Sequence, residues 1–343
     1  MMTIKTKILA SFLCLATAGV ARAAIAGEAE PLTPAYSDFQ GKTIGFAFPD
    51  RQSMNIQKVF RDNAVYRARE LGWKVIETDA KWDVGTQSKN ILSLAARSDV
   101  AGIVMLSIDY VANNNAVKQF EATGRPVVVY HMGISYPSAG HVGPNFYQMG
   151  RLFAKTMTED LGGKGKIALI LGDPNSQSAV DDLRGMKEWL KENKSGLEIV
   201  FEQPANWDAE KAKQVTKTLL QQHPDVAGIW CNWDVQCVGM GQALKEAGQV
   251  GKIKTWTEAA SDVCFTGLQE GYFTKCIGWD TRDQVRRAVD LVSMLVESGW
   301  KQGDKGIVWN VPLYIVTKDN MNDPRVHRLA FGEHSGYVSG ESN

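Results

Sequence analysis

The sequence lacks an excess of charge of either sign, because 38 lysines and arginines balance 38 aspartates and glutamates. It also has no block of basic residues, which argues against a nucleic-acid partner. Beyond the first 23 residues no apolar run approaches the length of about 20 residues that crosses a bilayer. The balanced charge also gives no sign of a polyanionic or membrane-surface partner.

The motifs of several enzyme classes are missing as well. The chain has no Gly-x-Gly-x-x-Gly after a strand, no Gly-x-x-x-x-Gly-Lys-Ser/Thr and no Gly-x-Ser-x-Gly, so a phosphate-binding loop or a nucleophile elbow lacks support. No cysteine has a histidine at metal-ligand spacing. We therefore expect no metal site, no cofactor and no enzymatic activity.

The N-terminus has the pattern of an export signal. Lys5 and Lys7 precede an uncharged run from Ile8 to Val20, and the small-x-small step Ala21-Arg22-Ala23 follows. We expect residues 1–23 to be a signal peptide that is cleaved on export. An uncleaved anchor is the weaker alternative, because the run is shorter than a bilayer requires.

Four cysteines remain after residue 23, namely Cys231, Cys237, Cys264 and Cys276. In an oxidising compartment an even number permits disulfides, and three pairings are open. Cys264 falls on an expected helix and Cys276 on the strand that follows, so these two could approach each other. Buried free thiols are the alternative.

Apolar runs of strand length alternate with amphipathic segments along the body of the chain. Runs such as Thr43 to Phe48 are apolar at consecutive positions, which suits strands covered on both faces by helices. The order restarts near Gly165, and Asp99-Val100-Ala101-Gly102-Ile103 recurs 126 residues later as Asp225-Val226-Ala227-Gly228-Ile229. With about 320 residues after residue 23, we predict two similar α/β lobes, each with a doubly wound parallel sheet.

Several short segments resemble landmarks of the type I periplasmic solute-binding proteins of ABC importers, especially the ribose-binding group. The segments, in order, are Ile44 to Phe48, Ala101 to Leu106, Gly143-Pro144-Asn145, Leu183-Arg184-Gly185, Pro204 to Asp208, His223 to Val226 and Asn232-Trp233-Asp234. The resemblance implies an N-terminal lobe of residues 40–145 plus 281–309 and a C-terminal lobe of residues 146–280 plus 310–330, joined by a multi-crossing hinge. It further implies a periplasmic monomer that closes on a small sugar or polyol and serves a membrane permease.

Ligands of open α/β sheets bind outside the carboxyl ends of the strands, and both lobes are expected to present those ends to one cleft. Polar side chains there would satisfy ligand hydroxyls, and aromatic faces would cover its C–H surface. The candidate ligand-binding residues at these positions are Asn55, His131, Asn145, Arg184, Trp207, Trp233, Glu258, Trp279 and Asp280. Several of them have a structural alternative: Asn145 could cap a helix, Arg184 could be a surface arginine, His131 could be a satisfied core residue, and a tryptophan is usually core.

Departures from the ribose-binding pattern bear on the ligand. His131-Met132 stands where those relatives have an Asp-Arg pair, Ala209 replaces an arginine, and Trp233 replaces an asparagine. The resemblance therefore implies a smaller, more aromatic and less cationic pocket, suited to a tetritol, a pentitol or a deoxygenated sugar. Two alternatives stay open: an organic cation held in a tryptophan cage, and a sensory binding protein that presents its ligand to a chemoreceptor or kinase. A repressor of the lac type shares the core fold, but it carries a DNA-binding segment where this chain has an export signal.

Overall fold

The computed structural model describes residues 39–51 and 55–331. The expected signal peptide lies outside these residues. The strands are β1 Thr43–Phe48, β2 Lys74–Asp79, β3 Val100–Met105, β4 Val127–Tyr130, β5 Gly140–Gly143, β6 Lys164–Leu171, β7 Gly196–Pro204, β8 Gly228–Cys231, β9 Lys254–Glu258, β10 Lys275–Gly278, β11 Ile307–Asn310 and β12 Tyr314–Val316. The helices are α1 Asn55–Glu70, α2 Val84–Ala95, α3 Asn114–Glu121, α4 Phe146–Asp160, α5 Gln177–Glu192, α6 Ala209–Gln222, α7 Asp234–Glu246, α8 Asp262–Glu270, α9 Thr281–Glu297 and α10 Pro324–Phe331.

The strands form two sheets of six. The first has the order β11-β5-β4-β3-β1-β2, and all its pairings are parallel. The second has the order β12-β10-β9-β8-β6-β7 and is parallel except for β12, which runs antiparallel to β10. This arrangement confirms the predicted fold class of two similar α/β lobes. We call the half built on the first sheet the N-lobe and the half built on the second the C-lobe.

The chain passes between the sheets three times, after β5, after β10 and after β11. Helix α9 follows the second passage and packs against α1 and against β3, β4 and β5, so it belongs to the N-lobe. Gln284 of α9 donates from Nε2 to the carbonyl of Val142 at 3.1 Å, which fixes the start of this helix against the N-lobe sheet.

Each sheet is covered by helices, and consecutive strand residues are buried for that reason. All six residues of β1 and all four of β4 and β8 are buried. The N-lobe core includes Ile103, Val117 and Phe120, and the C-lobe core includes Ile229 and Phe265. Strands covered on both faces leave only their ends and the following loops for ligand contact.

Both lobes build the corner after their edge strand in the same way. Ala80-Lys81-Trp82-Asp83 follows β2, and Ala205-Asn206-Trp207-Asp208 follows β7. The N–H of each alanine donates to the last residue of the lobe's first strand, Phe48 in one case and Leu171 in the other. Each aspartate then caps the next helix with its side chain. The two lobes are thus equivalent down to the backbone hydrogen bonds at this edge.

The four cysteines form two disulfides, and both lie in the C-lobe. Cys264 on α8 is bonded to Cys276 on β10, the pair that the sequence had made a candidate. Cys231 is bonded to Cys237, a pairing that was left open. This second disulfide joins the end of β8 to α7 and encloses the loop that carries Trp233.

None of the helices in the described part of the chain combines the length and the apolar character needed to cross a membrane.

Candidate functional site

Several residues that follow strands have left-handed backbone torsion, and four of them lie near the candidate site. The φ angles are 65° at His131, 65° at Trp207, 67° at Trp233 and 83° at Ala259. A non-glycine residue in such a conformation costs about 1–3 kcal/mol and is found preferentially at binding sites. The positions follow β4, β7, β8 and β9, so the strained backbone coincides with the carboxyl ends of both sheets.

His131 lies at the centre of an aromatic group that joins the two lobes. Its ring stacks on Trp279, which follows β10, with centroids 5.4 Å apart. Phe146 at the start of α4 contacts both rings edge-on, and Phe60 of α1 lies 5.5 Å from the imidazole. Trp279 itself is 3% exposed and donates from Nε1 to Gln284 at 2.7 Å. Trp279 is therefore buried like a core tryptophan and is also a member of this aromatic group.

The imidazole of His131 has an unsatisfied nitrogen. Its Nδ1 is buried and has no hydrogen-bond partner among the described residues, and the same holds for the hydroxyl of Tyr130. Burial, together with the nearby His141, lowers the pKa of His131 to about 3, so the ring is neutral at physiological pH. Because a buried polar group without a partner costs about 1–3 kcal/mol, these atoms are suited to bind a polar ligand.

Two tryptophans meet at the other end of the C-lobe edge. Trp207 and Trp233 contact edge to face with centroids 6.1 Å apart. The indole of Trp207 lies directly on Gly172, where a Cβ atom would be 2.0 Å from the ring. The backbone N–H of Trp207 donates to Oε1 of Gln236 at 2.6 Å. Both indoles are half-buried, so their faces are accessible to a ligand.

A pair of buried acids lies at the end of β9, the strand between those that Trp233 and Trp279 follow. Glu258 ends β9, the strand that separates β8 from β10, and is 4% exposed. Its carboxyl is within hydrogen-bonding reach of Asp182 on α5, which is fully buried. Burial is the largest cause of a raised pKa in both groups, and the proximity of the two acids adds to it for Asp182. Neither oxygen of Asp182, nor Oε2 of Glu258, receives a hydrogen bond from the described residues.

Close packing of α4 on α5 holds Asp182 in this position. Gly150 of α4 faces the carbonyl oxygen of Asp182, and a Cβ there would be 2.1 Å from it. Two contacts join the N-terminal end of α5 to the N-lobe loop after His131. Gln177 accepts a hydrogen bond from the N–H of Gly133, and Ser178 lies 3.9 Å from the sulfur of Met132. Asp182 is one helical turn beyond Ser178 and on the same face.

A third buried acid, Asp234, has a different role. It accepts from the hydroxyl of Ser261 at 2.5 Å and from the N–H of Cys264 at 3.2 Å. Burial raises its pKa to about 6. Because its oxygens are satisfied by the protein, Asp234 ties α7 to α8 and is not a candidate ligand group.

The structure places three of the sequence candidates in structural roles. Asn145 accepts from the N–H of Gln148 at 3.0 Å and caps α4, and Asp280 accepts from the N–H groups of Arg282 and Asp283 and caps α9. The side chain of Arg184 is 55% exposed and donates to Asp181 at 2.9 Å. Its guanidinium also lies over Tyr147, which matches the surface-arginine alternative. Asn55 begins α1, and its side chain is outside the described part of the chain.

We use the term strand-exit cleft for the edge formed by His131, Trp207, Trp233, Glu258 and Trp279, with Asp182 behind it. A depression of about 370 Å³ lies beside β5 and β11, next to the His131 group, and its lining includes Asn145 and Phe146. Gly133, His141, Gln177 and Val308 are among the residues that line it. It lacks the tryptophans and buried acids of the strand-exit cleft.

Comparison with known proteins identifies the family. Residues 44–299 match the model of a periplasmic binding protein domain. The chain belongs to this family. The match confirms the resemblance drawn from the sequence landmarks.

The relatives of this periplasmic binding protein include named sugar-binding proteins. A D-apiose import binding protein of Paraburkholderia graminis is 27% identical over 208 residues, which cover 60% of this chain and 66% of the relative. A D-allose-binding periplasmic protein of Escherichia coli is 34% identical over 101 residues, covering 29% of this chain and 32% of the relative. The chain thus spans just under two thirds of the first of these proteins and about one third of the second.

Solved structures agree on the fold. A solute-binding protein from Burkholderia graminis in complex with D-arabinose has a TM-score of 0.75 at 22% identity and covers 83% of this chain and 98% of its own. A myo-inositol-binding protein from Caulobacter, bound to myo-inositol, has a TM-score of 0.75 at 21% identity and covers 87% and 100%. At this identity the likeness establishes the two-lobed architecture.

Sequence reasoning missed two features of this periplasmic binding protein. No landmark of the family includes Asp182, whereas Arg184, two residues later, belongs to one. Helical periodicity in the sequence gives a partial signal, since Ala179, Gly185 and Met186 lie on the same face of α5 as Asp182. Trp82 was also missed, although its Ala-x-Trp-Asp corner repeats that of Trp207 and its φ of 59° is also left-handed.

Proposed function

We propose that this periplasmic binding protein captures a small sugar or polyol in the strand-exit cleft and delivers it to the membrane permease of an ABC importer. The observation that carries the proposal is the set of buried polar atoms without partners beside aromatic rings at the strand ends of both lobes, where the indoles of Trp207 and Trp233 are half-buried. Hydroxyls can pair with such atoms, and C–H faces can stack on the indoles. The names of the relatives support the choice of sugars and polyols.

In this proposal the protein does no chemistry on its ligand. The ligand bonds to groups from both lobes and shifts the hinge equilibrium toward the closed form, which the permease then recognises. Export through a cleaved signal peptide would place the protein in the periplasm. His131 on the N-lobe and Trp207, Trp233 and Glu258 on the C-lobe are the proposed contacts.

A thermal-shift screen of pentoses, tetritols, pentitols and inositols tests the proposal, because a ligand that binds only the folded state raises Tm. At least one class should do so. Trp207→Ala should weaken binding of that compound by about 30-fold or more, as expected for a tryptophan at the centre of a binding surface.

Trp309→Ala is the matched control. Trp309 is 39% exposed on β11, away from the strand-exit cleft, so its replacement should leave the ligand-induced shift unchanged. If Trp309→Ala loses the ligand-induced rise in Tm and Trp207→Ala keeps it, the ligand binds outside the strand-exit cleft. Turnover of the compound would show that the protein is an enzyme.

A further inference from the structure

The strand-exit cleft contains two buried acids, Asp182 and Glu258, that have no basic partner among the described residues. Among the described residues, no lysine or arginine makes a hydrogen bond or ion pair with Asp182 or Glu258, and the charged groups that act on their pKa values are all acids: each other, Asp181 and Asp234. The arginines of the neighbouring α4 and α5 are engaged outside, Arg151 with Glu192 and Arg184 with Asp181.

Two carboxyl groups in this position cannot both be ionised cheaply. Removing a carboxylate from water costs several kcal/mol unless it is paired, and two adjacent carboxylates repel each other. A proton shared between Asp182 and Glu258 relieves the repulsion in the empty protein. It still leaves buried lone pairs without donors.

The surrounding surface is aromatic. Trp233 and Trp279 follow the strands on either side of β9, which ends at Glu258. Indole faces attract cations, and Trp is the strongest of the aromatic side chains in this respect. His131, which is neutral and unpaired at Nδ1, and Asn232, which is unpaired at Nδ2, supply polar atoms without charge.

We infer that the ligand is a sugar or polyol that carries a protonated amino group, with the ammonium bound by Asp182 and Glu258 between the tryptophans. The inference rests on the proposed function and specifies its ligand class. An ammonium supplies three N–H donors and one positive charge, which are the two things the acid pair lacks. The hydroxyls of the sugar or polyol pair with His131 and Asn232. On binding, the proton shared by the two acids is released to solvent.

Matched pairs of compounds test the inference on the full mature protein. We would compare serinol with glycerol, glucamine with sorbitol, and glucosamine with glucose, first by thermal shift at pH 7 and then by calorimetry. The amine of at least one pair should bind about 30-fold or more tightly than its hydroxyl twin, the effect expected when a buried charge is paired. Titration in two buffers of different ionisation enthalpy should show proton release.

Two variants separate the charge from the shape of the site. Asp182→Asn and Glu258→Gln keep the size of the side chains, and each should abolish the preference for the amine and reduce proton release. Glu192→Gln removes a carboxyl at the C-terminal end of the same helix that pairs with Arg151. This control should keep both properties.

The outcomes distinguish the inference from the proposed function. If neutral compounds bind as tightly as their amines, or if amine binding is unaffected by Asp182→Asn, the ligand is an uncharged sugar or polyol and only the inference fails. If calcium or magnesium chloride stabilises the protein and the amines do not, the acid pair is a metal site and the inference fails. If neither member of any pair binds and the sugar screen is also negative, both the inference and the proposed function are wrong.

Discussion

The N-lobe and the C-lobe share a chain order and a sheet plan, but they bring different chemistry to the strand-exit cleft. Of the residues that define this cleft, the N-lobe contributes His131, whose ring is neutral at physiological pH. The C-lobe contributes Asp182 and Glu258 and, unlike the N-lobe, contains disulfides. One of these encloses the Trp233 loop, and the other ties α8 to β10.

This difference shows what an internal repeat conserves. The corner residues Trp82 and Trp207 keep the same left-handed backbone and are followed by the same helix cap. Trp82 is 36% exposed, whereas Trp207 packs on Gly172 and Trp233. The repeat thus fixes backbone geometry, and the charge and packing of each cleft face depend on individual side chains.

The largest effect that separates the lobes should come from the disulfides. Replacing Cys264 and Cys276 together by serine opens a loop with a sequence separation of 12 and should lower the free energy of unfolding by about 3 kcal/mol. Urea denaturation measures the total. Hydrogen exchange should show faster opening in the C-lobe alone. Equal acceleration of exchange in both lobes would contradict the view that this disulfide stabilises the C-lobe specifically.

A smaller and pH-dependent effect should come from the N-lobe. The pKa of His131 is about 3 in the folded protein against about 6.5 when exposed, because burial disfavours its charged form. As pH falls from 6.5 toward 3, the unfolded chain binds a proton that the folded one does not, so stability is lost on acidification. The loss from this residue is about 2 kcal/mol at pH 5.

His131→Asn tests this assignment, since asparagine tolerates left-handed backbone. The difference in unfolding free energy between pH 7 and pH 5 should shrink by about 2 kcal/mol relative to the wild type. An unchanged difference in His131→Asn would mean that the histidine is not held neutral by burial.

The architecture could be predicted because buried parallel strands leave a direct signature of consecutive apolar residues, as in β1 and β8. The cleft could be predicted only in part. Asn145 and Asp280 follow strands, as ligand groups do, but polar residues there also cap helices, and sequence does not separate these roles. On α5, a shift of two positions turns a side chain by about 200°, so Arg184 faces outward where Asp182 faces the core.

The central claim is that a ligand binds at the strand ends of both lobes and not in the depression beside β11. A crystal structure of the protein grown with glucamine or sorbitol, whichever gives the larger thermal shift, tests this most directly. We predict ligand density between Trp207, Trp233 and Glu258, with contacts to His131. Density confined to the depression beside Val308 and His141, with an empty strand-exit cleft, would contradict the account.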